Sequence, residues 1–383
     1  MKTVAVFFGG KSAEHDVSII TGHTPIIQSL QATGEYDIYP VYIARDGSWY
    51  SIPEMNNLAY FKKDLEEKLS KEKKIRFDIN DGLTLIWPGL REKKVSIDVA
   101  FPAMHGTYGE DGSLMGILRM AGIPFVGCDM AASAVAMDKA FTKQIMEAEG
   151  VPVVPYVWFT KYQWETKRDN YLREIENLSY PLFVKPVHLG SSIAISKVRD
   201  AGELKNAIEA ALHYDDKVLV EEGVENLIEV TLPIMGNERL TFGAIERPMN
   251  DTDFFDFSDK YLGGGKGGGV NTEYSEIPAK ISEELSQKVL EYGERTYRTL
   301  GCAGIARVDF LIDSQTEEVY VNEVNTLPGS LYHHNWKKVG VSGVELCTRL
   351  VAFAEERFAE QKDTTFAFES DILSKAGGQK MHE

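Results

Sequence analysis

The chain has 383 residues and a net charge of −17, with 43% hydrophobic and 26% charged residues. This length is too great for one ordinary hydrophobic core and predicts two or three domains. The acidic balance argues against general nucleic-acid binding, which needs a basic surface, and no apolar run approaches the roughly 18 residues of a membrane span.

The N-terminus and the cysteines indicate the compartment. The first apolar run ends after about six residues and soon meets Lys11 and Glu14, which is not the pattern of a signal peptide. Three cysteines are widely spaced and form no CxxC motif, which argues against disulfides and structural zinc. We therefore expect a cytoplasmic protein that does not associate with membranes.

The first part of the chain has the pattern of an open α/β sheet. A β-rich run at residues 4–8 ends at Gly9 and Gly10, and Ser12 is predicted to be the N-cap of a helix that closes at Gly34. Further strand patterns predict that the alternation of strands and helices covers about the first 125 residues. Ligands bind such sheets at the glycine-rich turns after strands.

The second part has an α+β pattern. A long helix is predicted over residues 130–150, followed by a strand at 180–186 that contains Lys185. The turn HLGSS then leads to a second strand at 193–198, and a helix precedes the strand KVLVEEG at 217–223. These elements form a unit of about 95 residues, close to an ordinary domain size.

The third part contains two predicted strands, at residues 304–313 and 318–325, which are joined by a turn-like segment and form a hairpin by pattern. Before them, residues 263–269 read GGGKGGG. Ordering a glycine costs more conformational entropy than ordering other residues, and glycine has no side chain that packs. This segment is therefore interpreted as a mobile loop. The polar residues from Asp363 onward are interpreted as a loosely held tail.

The hairpin has the strongest chemical pattern. Side chains alternate along a strand, so Arg307 and Asp309 share one face, and Glu323 and Asn325 share one face of the partner strand. Pairing the strands can gather oxygen ligands of the kind that Mg²⁺ prefers. A solvent-facing strand surface with simple ion pairs gives the same pattern. The following Asn-Thr-Leu-Pro-Gly turn favours a site, because such a turn can direct N–H groups toward an anion.

Three further features are weaker when taken singly. Lys139 and Lys185 lie in apolar surroundings and need an anionic partner, for which a bound phosphate and extension of the side chain to solvent are the alternatives. The turn around Ser191 could cover phosphates but lacks the spacing of a P-loop. His105 begins the glycine-rich segment HGTYGEDG, which is either a structural turn or part of a site.

Taken together, these segments resemble the ATP-grasp superfamily and, within it, the D-alanine–D-alanine ligases. Eight segments occur in the family's order over about residues 3 to 355. They are FGGKSAEHDVS, HGTYGEDGSLMG, AMDKAFTK, FVKPVHLGSSIAISK, VLVEEGV, FFDFSDKYL, ARVDF and NEVNTLPG. One segment alone would be weak, but eight in register are specific.

The resemblance implies a three-domain ATP-grasp fold of α/β and α+β class with an N-terminal open α/β domain. The implied divisions are an N-terminal substrate-binding domain at 1–127, a central ATP-grasp subdomain at 128–221, a C-terminal ATP-grasp subdomain at 222–362 that contains a lid loop at 254–270 and the metal site, and a tail at 363–383.

The resemblance also implies roles for individual residues. The implied metal ligands are Asp309, Glu323 and Asn325. The implied ATP-binding residues are Lys139, Lys185, Ser192, Glu221, Val224, Glu229 and, on the lid, Lys260. The implied first-substrate residues are Glu14, which holds the ammonium group, its hydrogen-bonded partners Ser191 and Tyr261, and the nearby His105. Arg307 and the Gly329 N–H are implied to stabilise a tetrahedral intermediate, and Ser330 and Leu331 to bind the second substrate.

The implied reaction consumes ATP with Mg²⁺ or Mn²⁺, with two ions expected, and joins two D-alanines through an acyl phosphate. Its product serves peptidoglycan precursor synthesis, and the resemblance suggests a homodimer. Phosphoryl transfer depends mainly on charge neutralisation and positioning, which explains two lysines, an arginine and a metal. A lid protects the acyl phosphate from water.

Two departures from the family pattern concern the second substrate. Ser330 and Leu331 follow Gly329 directly, whereas in many members several residues separate this glycine from the Ser-Leu pair. The predicted lid is also longer and richer in glycine than the usual family pattern. Tyr261 favours an amine as nucleophile, as in the alanine-forming members. A ligase for D-serine, D-lactate or another amino acid is therefore the alternative, and a non-catalytic nucleotide-binding protein is a third hypothesis.

Overall fold

The computed structural model describes residues 1–190, 193–249 and 275–362, together with 364–365, 369–370 and 372. The predicted lid at 254–270 and most of the predicted tail lie outside the described residues. Within the described part of the chain, no helix is both long and apolar enough to cross a membrane.

The first unit is built on a four-stranded sheet of order β3-β2-β1-β7, in which β1 pairs in parallel with β2 and β7. A small antiparallel sheet of order β4-β5-β6 lies beside it. This arrangement confirms the predicted open α/β sheet. The elements are β1 (Lys2–Gly9), α1 (His15–Thr21), α2 (Gln28–Thr33), β2 (Tyr36–Ile43), β3 (Trp49–Tyr50), α3 (Leu65–Lys71), β4 (Arg76–Asp78), β5 (Leu83–Trp87), β6 (Lys93–Ile97), β7 (Val99–Pro102) and α4 (Ser113–Ala121).

The predicted start of the first helix is wrong. Helix α1 begins at His15, and no side chain caps it. The Ser12 hydroxyl instead accepts the Glu14 N–H at 3.1 Å and donates to the His105 carbonyl at 2.7 Å, so it ties the glycine turn to the segment after β7. A π-helical stretch joins α1 to α2, and the segment ends at Gly34 as predicted, because Gly34 has a φ of +69°.

The second unit contains an antiparallel sheet of order β10-β9-β11-β8. Its elements are α5 (Met130–Met137), α6 (Lys139–Ala148), β8 (Tyr156–Thr160), α7 (Lys161–Ile175), β9 (Leu182–Pro186), β10 (Ser196–Val198), α8 (Ala201–Tyr214) and β11 (Lys217–Glu222). The prediction of one helix over residues 130–150 is wrong. The chain leaves helical geometry at Asp138, with ψ at 98°, and the Asp138 carboxylate accepts the Phe141 N–H at 2.9 Å, which starts a new helix.

The third unit contains a sheet of order β13-β12-β16-β17. Its elements are β12 (Leu227–Gly236), β13 (Leu240–Phe242), β14 (Arg247–Pro248), β15 (Ser275–Glu276), α9 (Glu283–Thr299), β16 (Gly304–Asp313), β17 (Glu318–Asn325), α10 (His333–Lys338) and α11 (Gly343–Lys362). The predicted hairpin is confirmed, because β16 and β17 pair antiparallel. Asp309 lies opposite Glu323, and Arg307 lies opposite Asn325.

The first and third units share one hydrophobic core. Apolar residues of α11, among them Leu346 and Leu350, pack with Phe8 of β1, and the buried Trp336 and Leu331 belong to the same cluster. The segment after β17 is therefore held against the first sheet. This packing brings the end of the hairpin close to the glycine turn after β1.

Two glycines with positive φ give a prediction about this fold. Gly9 ends β1 with φ +91°, and a Cβ there would collide with the Ile43 carbonyl oxygen, whereas a Cβ at Gly34 would meet no atom within 4 Å. We expect Gly34→Ala to cost about 1 kcal/mol, the cost of left-handed backbone alone. Gly9→Ala should cost roughly 3 kcal/mol or more, because a steric clash adds to that cost. Chemical denaturation of the two variants measures the difference, and equal losses would contradict it.

Candidate active site

The hairpin gathers the predicted metal ligands as the strand pattern required. The Asp309 carboxylate is buried and accepts two hydrogen bonds from the Arg307 guanidinium, both at 2.6 Å, and one from Asn325 Nδ2 at 3.1 Å. Glu323 is the cross-strand neighbour of Asp309 and is partly exposed. Two carboxylates and an amide with oxygen donors suit a hard cation such as Mg²⁺, so this donor set fits the implied metal.

A bulge in the hairpin adds a residue that the sequence reasoning missed. The register shifts after Asp309, so that Phe310 pairs with Val321 and Asn322 is left between the two pairs. The Asn322 side-chain oxygen lies 3.5 Å from Lys185 Nζ. In the sequence, the only feature that pointed to Asn322 was its position next to the predicted metal ligand Glu323.

Both predicted phosphate-binding lysines are buried beside the hairpin. Lys139 is the first residue of α6, and its Nζ donates to the Leu189 carbonyl at 2.8 Å and lies 3.7 Å from Glu323 Oε2. Lys139 and Lys185 are each only 9% exposed. The alternative in which these side chains extend into solvent is therefore wrong for both.

Lys185 belongs to a buried charged triad. The Glu221 carboxylate lies between Lys185, with which it forms an ion pair, and Lys143, whose Nζ is 2.9 Å from Glu221 Oε2. Burial raises the pKa of Glu221, but the two lysines outweigh it and bring the pKa to about 2. Glu323 and Glu229 add negative charge around Lys185, and burial lowers the pKa of Lys143, so the triad is part of a larger network of buried charges.

The triad bears on two sequence predictions. The side chain of Glu221, predicted to contact adenine, is 1% exposed and engaged by lysines. Its contact with adenine stays a prediction.

Lys143 had no predicted role, although its spacing of four residues from Lys139 places both on one face of α6. Val224 lies just after β11, and Glu229, in β12, adds to the negative charges that keep the pKa of Lys185 raised although burial lowers it.

Glu14 lies where two glycine-rich segments meet. Its side chain is buried, and a Cβ added to Gly106 would lie 2.8 Å from Glu14 Oε2, while one added to Gly190 would lie 3.3 Å away. Only glycine lets both backbones approach the carboxylate this closely. Gly106 of HGTYGEDG and Gly190, far apart in sequence, thus lie next to one carboxylate.

His105 links this region to the segment after the hairpin. Its Nε2 atom lies 2.8 Å from the Thr21 hydroxyl, which also accepts the Ser330 N–H at 2.9 Å. Burial lowers the pKa of His105, but the carboxylates of Glu110 and Glu14 outweigh it and leave the pKa raised. Thr21 was missed, because a threonine in an apolar helix carries no functional signal in the sequence.

The shortened segment after Gly329 adopts an unusual backbone. Ser330, Leu331 and Tyr332 have φ values of 49°, 51° and 53°, a region that non-glycine residues rarely occupy. The Leu331 side chain is buried in the shared core and its N–H donates to the Pro328 carbonyl at 2.8 Å. The Leu331 side chain therefore faces the core, and a contact between Leu331 and a substrate stays a prediction.

Tyr332 covers the Arg307 guanidinium, whose central carbon is 4.9 Å from the ring centroid. The arginine is therefore held between an aromatic ring and the Asp309 carboxylate. Four other predicted residues lie outside the described residues: Ser191, Ser192, Lys260 and Tyr261.

The fold and this site define an ATP-dependent carboxylate–amine ligase of the ATP-grasp class, which uses ATP and a divalent metal. The family profile described as "D-ala D-ala ligase N-terminus" matches residues 3–128, and that described as "D-ala D-ala ligase C-terminus" matches residues 145–352. The chain belongs to the D-alanine–D-alanine ligase family, which confirms the predicted family and the predicted fold class.

Individual relatives agree with this assignment. The chain is 36% identical over 375 residues to the D-alanine–D-alanine ligase of Thermosipho africanus, covering 97% of this chain and 98% of the relative. It is 38% identical over 367 residues to that of Chlorobium phaeovibrioides, covering 92% and 97%. Among solved structures, the D-alanine–D-alanine ligase from Coxiella burnetii matches with a TM-score of 0.78 at 28% identity, covering 94% of this chain and 96% of that chain. The VanG D-Ala:D-Ser ligase from Enterococcus faecalis matches with a TM-score of 0.76 at 31% identity, covering 92% and 99%.

The environment of His105 gives a pH prediction. Because its pKa in the folded protein is raised above the ordinary 6.5, protonation stabilises the fold fully below about pH 6.5, and this contribution is lost as pH rises through the raised pKa. We expect Glu110→Gln to lower the pKa of His105, since it removes the nearest carboxylate charge and keeps an acceptor. Asp111→Asn removes a neighbouring charge and should leave the His105 pKa nearly unchanged. NMR titration of the imidazole measures the His105 pKa in both variants, and the signal is assigned by its absence in His105→Gln. An unchanged pKa in Glu110→Gln would refute the view that Glu110 raises the pKa of His105.

Proposed function

We propose that the chain joins two molecules of D-alanine to D-alanyl-D-alanine in peptidoglycan precursor synthesis, with conversion of ATP to ADP and phosphate. One observation carries this proposal: Lys139 Nζ lies 3.7 Å from the carboxylate of Glu323. A lysine for phosphate and carboxylates for a metal therefore face the same small volume. This is the arrangement that phosphoryl transfer from a metal-bound nucleotide requires.

Mg²⁺ or Mn²⁺, with two ions, would be held by the oxygen atoms of Asp309, Glu323 and Asn325. When bound, the metal neutralises charge on the phosphates. Lys139 and Lys185 hold the phosphates from the other side, and their position beside Glu323 and Asn322 of the hairpin supports this role. The remaining nucleotide contacts are assigned by family resemblance to Ser192, Glu221, Val224, Glu229 and Lys260.

Glu14 holds the ammonium group of the first D-alanine. Its buried carboxylate is bordered by the backbones of Gly106 and Gly190, which belong to two segments that the family resemblance also assigns to the site. Ser191, Tyr261 and His105 complete this subsite. The carboxylate of the substrate attacks the terminal phosphorus of ATP, the bond between this phosphorus and the bridging oxygen breaks, ADP is the leaving group, and the substrate becomes an acyl phosphate.

The amine of the second substrate then attacks the acyl carbonyl. The oxyanion that develops is stabilised by Arg307, which Asp309 and the Tyr332 ring hold in place, and by the Gly329 N–H. Collapse of the tetrahedral intermediate releases phosphate and leaves the peptide bond. The lid at 254–270 excludes water during these steps.

A ligase with D-serine as second substrate is the second candidate, because the segment after Gly329 is short and Ser330 follows it directly. The structural relative VanG is a D-Ala:D-Ser ligase. ADP release with D-alanine and a panel of D-amino and D-hydroxy acids distinguishes the two. We expect D-alanine to be the best acceptor, and an equal or faster rate with D-serine or D-lactate would refute the first assignment.

The resemblance also supports a homodimer formed through the first domain and a cytoplasmic location, where ATP is available. Light scattering at micromolar concentration tests the first point. A molar mass equal to that of the monomer would reject the proposed dimer, but it would not bear on the proposed ligase activity.

The metal assignment gives a sharp prediction. Glu323→Gln removes a ligand charge with little change in shape, so kcat should fall at least about 100-fold, since metal charge stabilisation is worth several kcal/mol, and the melting temperature should change little. Glu318→Gln is the matched control, because Glu318 begins the same strand and is exposed. Near-normal turnover of Glu323→Gln would remove Glu323 from the site.

A further inference from the structure

A separate group of charged side chains lies next to the phosphate-binding lysines and takes no part in the steps above. Its centre is His188, two residues after β9. His188 Nδ1 lies 2.9 Å from Asp215 Oδ1, and His188 Nε2 lies 3.3 Å from Asp138 Oδ2. The His188 main-chain N–H also donates to Asp215 Oδ2 at 2.7 Å. Two carboxylates therefore hold this residue at three points.

The geometry sets the protonation state of His188. An ionised carboxylate only accepts hydrogen bonds, so each ring nitrogen that contacts one has to donate. A neutral imidazole has one N–H and satisfies only one of the two carboxylates, whereas the imidazolium satisfies both. In agreement, hydrogen bonds to Asp138 and Asp215 raise the pKa of His188 to about 9. His188 therefore carries a positive charge at neutral pH.

A second cation completes this group. Lys217 Nζ donates to Asp138 Oδ2 at 2.6 Å and lies over two aromatic rings, those of Phe141 and Trp158. Two cations thus balance the two buried carboxylates of Asp138 and Asp215. The exposed Asp216 also lies close to His188, with a carboxylate oxygen within 4.8 Å of a ring nitrogen of His188 and of a carboxylate oxygen of Asp215.

The group connects two parts of the predicted nucleotide site. Asp138 is the N-cap of α6, and the next residue is Lys139. His188 precedes Leu189, whose carbonyl accepts the Lys139 ammonium at 2.8 Å. Two successive residues at the start of α6 therefore contact two successive residues of the turn HLGSS. If His188 releases Asp138, the segment loses its contact between charged groups with α6 and keeps two weaker ones, from the Lys139 ammonium to the Leu189 carbonyl and from the Lys139 N–H to the Val187 carbonyl at 3.5 Å.

We propose that doubly protonated His188 is a positioning residue, which holds residues 188–189 against the start of α6 and so fixes Lys139 for the phosphates of ATP. The inference rests on the proposed ATP-dependent function, since it assigns Lys139 to a phosphate. The described hydrogen bonds of His188 go to Asp138 and Asp215, and none of them involves a predicted metal ligand or phosphate-binding residue. Its loss should weaken nucleotide binding and leave the chemical step at saturating ATP nearly unchanged.

The first test compares His188→Gln with His213→Gln, since His213 is an exposed histidine at the end of α8. We expect the KM for ATP of His188→Gln to rise about 10-fold, the effect of losing one hydrogen bond between charged groups. Its kcat and its KM for D-alanine should stay within about 2-fold, and His213→Gln should match the wild type. An unchanged KM for ATP, or a fall in kcat with no change in KM, would overturn the proposal.

The second test separates positioning by charge from a merely structural role. Calorimetry measures ADP binding in the presence of Mg²⁺ between pH 7.5 and 10. Wild-type affinity should fall as pH rises through about 9, since His188 then loses its charge. His188→Arg keeps a charge with donors on both sides, so it should restore affinity at pH 7.5 and bind with a flatter profile. Identical profiles for the wild type and His188→Arg, or weak binding by His188→Arg at every pH, would refute the role of charge.

The two proposals fail in different ways. If the wild type releases no ADP with any acceptor of the panel, the ligase function is wrong. The binding of ADP by the two His188 variants still tests the positioning role in that case. If the wild type is an active ligase and the His188 variants bind ADP as the wild type does, only the positioning role is wrong.

Discussion

The site depends on the electrostatics of two carboxylates that antiparallel pairing places side by side. Asp309 and Glu323 are cross-strand neighbours, and like charges at that distance repel one another unless cations lie between or beside them. Arg307 binds Asp309 with two hydrogen bonds, and Lys139 approaches Glu323 from helix α6. In the proposed site, a divalent metal would compensate the carboxylates and the lysines would compensate the phosphates of ATP. One pair of strands thus places an arginine and a buried lysine beside the predicted metal ligands.

The rest of the fold brings separate segments to this pair. A shared core between the first sheet and the C-terminal helix holds the segment after the hairpin against α1, where Thr21 accepts the Ser330 N–H. Glu14, at the start of α1, and the glycine segments around it are placed by the same packing. Because two units contribute to one site, their relative position matters as much as the side chains. The unusual backbone at Ser330 shows how closely the shortened segment is confined by this packing.

Charge balance recurs around each lysine of the nucleotide site. Glu221 lies between Lys143 and Lys185, whereas Lys139 is steadied through its neighbour Asp138, which His188 contacts. Buried charges are expensive unless they are paired and hydrogen-bonded, so such networks hold their members in defined positions. Lysines that are fixed before the nucleotide arrives lose less conformational entropy on binding. The networks thus prepare the site for a polyphosphate.

The sequence alone determined the hairpin, the gathering of the predicted metal ligands on it and the family, because strand alternation is strictly local and the ordered segments are specific. It also located the buried lysines. Only the tertiary structure decided the break at Asp138, the bulge that presents Asn322, and the roles of Thr21 and His188. A helix pattern does not reveal that a capping aspartate is held by a histidine about 50 residues away, since sequence spacing carries no information on contacts between units. The physical reason is that these residues act through pairing of buried charges and polar groups, which exists only once distant segments have packed together.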